Sequence, residues 1–126
     1  MPKQSRIKPT LIDKDEWIDE QDIPSGVFIG EEYGVDCVIV KSCISEIDKG
    51  PSTHVHPYDE IVHIIKGSAK FTIGTKTFIA KQGSIVIGPA NIPHSFKNEG
   101  PEALEIIDIH LSKEWIQYDL PEEDKN

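Results

Sequence analysis

Arginine is all but missing from this 126-residue chain, where Arg6 is the only one. A buried guanidinium fork for a carboxylate substrate is therefore nearly excluded, and Lys41, Lys66 or Lys70 would have to serve instead. Basic residues are few altogether: 13 Lys and Arg against 22 Asp and Glu leave a net charge of −9. That field repels nucleic acid and anionic membrane, and no Lys/Arg cluster offsets it. Much of the acidity lies in Asp13–Asp22 and Asp119–Asp124, where solvated ends explain it without a cationic substrate. No apolar run is long enough to span a bilayer. No apolar stretch follows Met1–Arg6 to make a secretory leader, so the cytoplasm is the expected compartment. There are two cysteines, Cys37 and Cys43. Along an extended strand they stand about 20 Å apart, too far for a disulfide. They read as buried thiols, with Cys43 as a pocket-lining thiol the sharper alternative.

Long helical periodicity is also absent; short apolar runs between turn residues take its place. Residues 1–25 are polar, interrupted by Pro2, Pro9 and Pro24, and anchored only by Leu11, Ile12, Trp17 and Ile18. They predict an arm crossing the domain surface or a partner subunit, with Trp17 as a packing or interface residue. From Gly26 the pattern is β. Strands are expected at Val27–Ile29, Val35–Ile47, His54–His56, Glu60–Lys66, Ala69–Ile73, Lys76–Ala80, Ser84–Ile87, His94–Lys97 and Ala103–Leu111. Asp48–Pro51, Gly67, Gly74, Gln82–Gly83, Gly88–Pro89 and Gly100–Pro101 mark the turns. Short strands at this spacing predict an all-β sandwich or barrel over residues 26–118. One short C-terminal helix is expected at Ser112–Gln117, capped by Ser112, with Glu114 in its first turn and Trp115 and Ile116 docked on the sheet. A polar tail, 119–126, follows.

Histidine is scarce, with five in all, yet it is concentrated. His54 and His56 stand two apart, so on a strand both rings point to one face. Glu60 follows across a turn at Pro57–Asp59, and His94 begins a later strand just past Pro89–Pro93. Imidazole nitrogen with carboxylate oxygen suits Zn, Fe, Mn, Ni or Co better than Ca or Mg. One divalent transition ion is the expected cofactor, to be released by acid as the imidazoles protonate.

Gly50-Pro-Ser-Thr-His54-Val-His56-Pro-Tyr-Asp-Glu60, followed six residues later by Gly67, resembles the first motif of the cupin superfamily. Gly83, Pro89-Ala-Asn91, His94 and Asn98 resemble the second. Gly50 stands two residues closer to His54 than is usual, and Asn91 holds a place usually taken by Gly. Asn tolerates positive φ best among the other residues. The resemblance implies a double-stranded β-helix (jelly-roll) barrel and carries over His54, His56, Glu60 and His94 as the metal set. Four ligands on an octahedral ion leave two positions open, as a catalytic site requires.

The remaining candidates follow from parity. His63, three after Glu60, should face away from the ion as a packing histidine. Phe71 with Ile73, and Phe78 with Ala80, read as core or sheet packing. Phe96 should form pocket wall, and Tyr58 reads as a surface turn residue. On the last strand Ile106, Asp108 and His110 share one face and Ile107, Ile109 and Leu111 the other; parity alone does not say which is inward. If the first is, Asp108 and His110 become general base or partners to a ligand imidazole. Asp108–Lys113 resembles the final strand of small cupins that open or isomerise unsaturated and keto-sugar acids. Those commonly have Gln where Glu60 stands, and an Arg that is missing here. The function these residues predict is a homodimeric metalloenzyme acting on a small oxygen-rich or carbonyl substrate by isomerase- or lyase-type Lewis-acid chemistry, with proton transfer by Asp108 or His110. An iron-dependent dioxygenase and a non-catalytic small-molecule-binding module are the alternatives.

Overall fold

The computed structural model describes residues 1–121. It places ten short strands: β1 (Gly26–Ile29), β2 (Val38–Ile44), β3 (His54–Val55), β4 (Glu60–Lys66), β5 (Ser68–Ile73), β6 (Lys76–Lys81), β7 (Ile85–Gly88), β8 (His94–Asn98), β9 (Leu104–His110) and β10 (Tyr118–Asp119). They form two antiparallel five-stranded sheets, ordered β1-β2-β9-β4-β7 and β10-β3-β8-β5-β6. This is the expected all-β double-stranded β-helix. Alternation decides which residues face inward. On β2, Val38, Val40, Ser42 and Ile44 are buried while Ile39, Lys41 and Cys43 are only partly covered. Val62 and Ile64 of β4, Phe71 of β5, Val86 of β7 and Leu104 and Ile106 of β9 meet Ile44 in one apolar cluster. No helix among the described residues is long and apolar enough to cross a membrane.

Pairing registers stack the interior in layers. In the first sheet Val38, His110, Glu60 and Gly88 lie side by side across β2, β9, β4 and β7. In the second sheet Asp119, His54, His94 and Ile73 do the same across β10, β3, β8 and β5. The polar layer thus sits at one end of the barrel. Val62, paired with Asp108, and Ile64, paired with Ile106, begin the apolar packing beneath it.

The far end is closed by Asn98, fully buried. Its amide donates to the carbonyls of Ile44 (3.0 Å) and Glu102 (3.2 Å), and its oxygen accepts the Gly100 N–H (2.7 Å). Gly50 is needed for a close approach rather than a turn. A Cβ there would lie 1.9 Å from the Phe96 carbonyl oxygen, so only glycine lets this loop lie against β8. Asn91 does adopt positive φ (62°), and its N–H donates to the His56 carbonyl (2.8 Å). The Ala90 N–H donates to Asp59 Oδ1 (2.8 Å). These two bonds lash the Pro89–Pro93 turn to the loop after β3, which is how His94 comes to lie opposite His54.

Several expectations are corrected. Ser112–Glu114 are bends and Trp115–Gln117 are irregular, not a helix; among the described residues the one α-helical turn is Lys14–Trp17 in the arm. Six residues cannot repay helix nucleation alone. Here the Ile116 N–H goes to Tyr58 Oη (3.2 Å) and its carbonyl to His56 Nδ1 (2.7 Å), which removes the groups a helix would use. Val35 and Cys37 lie before β2, in the return from a 3-10 turn, Gly30–Tyr33. Strand β10 was not anticipated: Asp119, read as the start of the tail, pairs with His54, and the Leu120 N–H donates to the Thr53 carbonyl (3.0 Å). The rest of the tail, 122–126, lies outside the described residues. Cys43 is not a pocket thiol, because Ser42 and Ile44 take the inward places beside it. Both cysteines are free and half-buried. His63 does face away, but it is exposed rather than packed.

Candidate metal centre

His54, His56, Glu60 and His94 are all buried, and one nitrogen or oxygen of each lies within 4.8 Å of every other. Strand β3 and the residue after it supply two of them, the first residue of β4 the third and the first residue of β8 the fourth. The imidazoles are held in one tautomer. Nδ1 of His54 donates to the Ser52 carbonyl (2.7 Å), that of His56 to the Ile116 carbonyl (2.7 Å) and that of His94 to the Ile92 carbonyl (3.0 Å). Carbonyls only accept, so each neutral ring carries its proton on Nδ1 and leaves the Nε2 lone pair free. Glu60 Oε1 lies 2.5 Å from His94 Nε2. Space for its side chain comes from Gly88 opposite: a Cβ there would lie 2.9 Å from Glu60 Cγ.

The donor set fits a transition-metal ion. Glu60 Oε2 and His94 Nε2 are buried without a hydrogen-bond partner, an arrangement native proteins avoid unless something completes it. Neutral imidazoles with one carboxylate match the preferences of Zn, Fe, Mn, Ni or Co. Burial lowers the pKa of His54, and takes that of His56 down to about 4, against raising effects from their carbonyl bonds and Glu60. Burial also depresses His94, but a protonated Nε2 would donate to the adjacent Glu60 carboxylate, and that bond with the carboxylate's charge prevails, so its pKa is raised.

Asp108 and His110 point inward; the Ile107 face of β9 lies outside. His110 is buried, and its Nε2 is 3.2 Å from Asp108 Oδ2 and 3.3 Å from Glu60 Oε2. Its other nitrogen meets Tyr58 Oη at 2.6 Å. Burial lowers the His110 pKa and pushes that of Asp108 up to about 6, although Glu60 and His94 act to lower it. Asp108 Oδ1 has no partner.

Tyr58 corrects the surface-turn reading. Its ring stacks on His56 at 5.1 Å, and its hydroxyl sits between His110 Nδ1 and the Ile116 backbone. The sequence carried a faint signal, since Tyr58 continues the two-residue spacing of His54 and His56. Trp115 was also missed in this role; its ring meets His110 edge-on at 5.4 Å.

A cavity of about 490 Å³ opens over the centre. His54, His56, Asp108 and His110 form its floor, and Val40, Ile44, Phe96 and Ile106 are among its walls. Phe96 is therefore the pocket wall expected of it. Ile23 and Pro24 of the arm, Lys49 and Trp115 complete the lining.

Comparison with known proteins agrees with this architecture. Residues 44–110 match the family model described as the cupin domain. No curated protein matches the chain. A double-stranded β-helix protein from Klebsiella pneumoniae subsp. pneumoniae MGH 78578 is similar at 21% identity and a TM-score of 0.67, over 88% of this chain and 96% of that one. A protein of unknown function from Streptococcus pyogenes gives 22% and 0.61, over 86% and 96%. A variant of the oxalate decarboxylase of Bacillus subtilis gives 19% and 0.67, over 79% of this chain but 30% of that one. These likenesses concern the fold, and with the family match over more than half its length they show that the chain belongs to the cupin family.

Proposed function

We propose that this protein is a divalent-metal-dependent enzyme that moves a proton on a small carbonyl-containing substrate, an isomerase- or lyase-type reaction. The observation that carries the reading is Asp108: a buried carboxyl with one unpartnered oxygen, lining the cavity beside four inward-facing imidazoles. His54, His56, Glu60 and His94 would hold the ion, which when bound would polarise the substrate carbonyl. The chain's own residues do the rest. With its pKa raised to about 6, Asp108 is largely ionised at neutral pH yet more basic than an ordinary carboxylate, which suits a general base. It takes the proton beside the carbonyl at one oxygen and becomes neutral, while the C–H electron pair passes to the substrate oxygen as an enolate; His110 Nε2, 3.2 Å from the other Asp108 oxygen, holds the carboxyl in place. Tyr58 holds His110 in place from the far side. The proton is then returned to the substrate at a different atom (isomerisation) or to the leaving group (elimination).

The test is solvent exchange. Metal-loaded protein in D₂O should introduce deuterium beside the carbonyl of an enolisable probe such as acetylacetone, followed by NMR, faster than the free ion does. Asp108→Asn should lose that exchange while keeping its metal. Tight binding of the probe without exchange would replace the enzyme by a non-catalytic binding module. Oxygen consumption by the iron-loaded form would move it to the dioxygenases.

The partner is a second copy of the chain. Phe28, Ile39, Ile109, Ile61 and Ile87 lie in register across the outer face of the first sheet, and Ile85 and Ile87 are 65% exposed. At about 4.8 Å per strand the row spans roughly 19 Å. Two copies of a chain carrying −9 repel each other least where, as along this row, the meeting residues are uncharged, and one self-complementary patch suits a two-fold dimer. Ile85→Lys with Ile87→Lys should turn a dimer, measured by light scattering, into a monomer that retains its metal. A wild-type monomer at high concentration would refute this arrangement.

A further inference from the structure

The walls of the cavity say what kind of molecule its metal end receives. Beside the imidazoles stand Val40, Ile44, Phe96 and Ile106, with Ile23, Pro24 and Trp115 completing the apolar lining. Polar groups are sparse: Ser42, Gln117 and Lys49 besides the floor itself. Gln117 and Lys49 are exposed, so neither makes a polar pocket at depth. The single arginine, Arg6, lies outside this lining.

Two ligand classes fit poorly. A small dianion would enter a floor that already holds the carboxyls of Glu60 and Asp108, with Lys49, exposed at the opening, as the one cationic side chain in the lining. A polyhydroxylated sugar acid would set several hydroxyls against Val, Ile and Phe, each left without a hydrogen-bond partner. Asp108 asks for something else. Its Oδ1 is buried and unpartnered, and its neighbours in register are Val40 and Val62. It needs one donor, and the donor must come from the occupant.

We infer that the ligand of this cavity is an uncharged molecule with an apolar body and two neighbouring oxygens at one end, of the enolisable diketone or hydroxyketone class. The two oxygens meet the open side of the metal centre, the enol O–H or the acidic C–H faces Asp108, and the body lies against Phe96, Ile106 and Trp115. The inference rests on the carbonyl-binding reading proposed above, and it narrows that reading from oxygen-rich substrates to those with oxygen at one end only.

The experiment compares three probes on the metal-loaded full chain by calorimetry: acetylacetone, which is the chelating head alone; benzoylacetone, the same head with a phenyl body; and oxalate. Benzoylacetone should bind on the order of ten- to a hundredfold more tightly than acetylacetone, because the ring is buried, and both should bind more tightly than oxalate. Phe96→Ala should erase most of that difference while leaving acetylacetone affinity near the wild-type value. Phe96 also packs on Phe71. Trp115→Ala, at the opening and away from the core cluster, therefore serves as the second variant and should shrink the same difference. Tighter binding of oxalate, or equal affinity for the two diketones, would overturn the ligand class while the metal-enzyme reading survived. A protein that takes up no metal would overturn that reading first.

Discussion

Replacing Tyr58 by phenylalanine tests whether the site is held by its hydrogen bonds or merely filled by its rings. The ring would remain, so its stacking on His56 at 5.1 Å should survive. Only the hydroxyl goes. That oxygen lies 2.6 Å from His110 Nδ1 and accepts the Ile116 N–H at 3.2 Å. Burial pushes the Tyr58 pKa up to about 12, so it remains a neutral phenol, donor and acceptor at once, over the whole working range. His110 is 1% exposed, and water cannot readily replace the lost partner at its Nδ1. The Ile116 N–H loses its partner too. An orphaned buried group costs about 1–3 kcal/mol, and the half-buried Ile116 end recovers part of its share from water. The expected total is about 2 kcal/mol, or a fall in Tm on the order of 6–10 °C. Metal affinity should change little, since His56 Nδ1 keeps the Ile116 carbonyl at 2.7 Å. The proton-exchange rate should fall about 10- to 100-fold, as for other partners that orient an imaginable acid or base. Thermal unfolding, metal titration and NMR exchange measure the three effects separately. A variant as stable and as fast as wild type would show that the hydroxyl positions nothing; one that lost its metal would show that His56, not His110, depends on it.

Asn98→Ala should destabilise the fold by about 2–4 kcal/mol in chemical unfolding, because it orphans the Ile44 and Glu102 carbonyls and the Gly100 N–H at once. Gly88→Ala should weaken metal binding at small cost in stability, since its methyl would press on Glu60 Cγ; unchanged affinity would mean that Glu60 is not a ligand. In the metal-free protein, Asp108→Asn should be more stable than wild type at pH 8, by on the order of 3 kcal/mol, and no more stable at pH 4. The carboxyl's pKa is raised from 3.8 to about 6 by burial, so its contribution is intact below pH 3.8 and is lost as pH rises through 6. Acid should strip the metal as the imidazoles protonate, His94 competing with the ion first because its pKa is raised, and His56 last because burial brings it to about 4; an ion still bound below pH 4, in metal analysis after dialysis, would contradict this.

Most of the barrel could be read from turn residues and alternation. Glu60–Lys66 was placed to the residue, because Gly67 ends it and its apolar positions alternate. The meeting of His54 with His94 was also legible, since both sit at strand starts beside proline-bounded turns. What could not be read was anything decided by a third element. The parity of β9 separates Asp108 from Ile107 but does not say which faces the cavity. That choice was made by β2 and β4, which flank it and present Val40 and Val62 in register with Asp108. Counting apolar side chains does not decide it either, because isoleucines fill the outer face of the sheet as well as the inner one. Ser112–Gln117 carried the signals of a helix, but its backbone is claimed by Tyr58 and His56, some sixty residues earlier. Tyr58 looked like a turn residue because it is one; its role appears only when Ile116 arrives above it.

The layered interior explains how one small barrel can hold four histidines and two acidic side chains near one another. Each buried charge or imidazole costs free energy in the absence of its ion, and the apolar cluster beneath must offset that cost. The strands separate the two tasks along their length. Ile64, Ala69, Phe71 and Leu104 pack away from the opening, where Asn98 satisfies the loop carbonyls. His110, Glu60, His54 and His94 gather at the other end, where Gly88 makes room and backbone carbonyls fix the rings. Changes in the first group should therefore act on stability with metal affinity preserved, and changes in the second on affinity first. The boundary is the Val40–Asp108–Val62 row. There a carboxyl stands among aliphatic side chains, and there the demands of folding and of chemistry oppose each other: the burial that makes Asp108 a stronger base also makes the metal-free fold less stable as the pH rises.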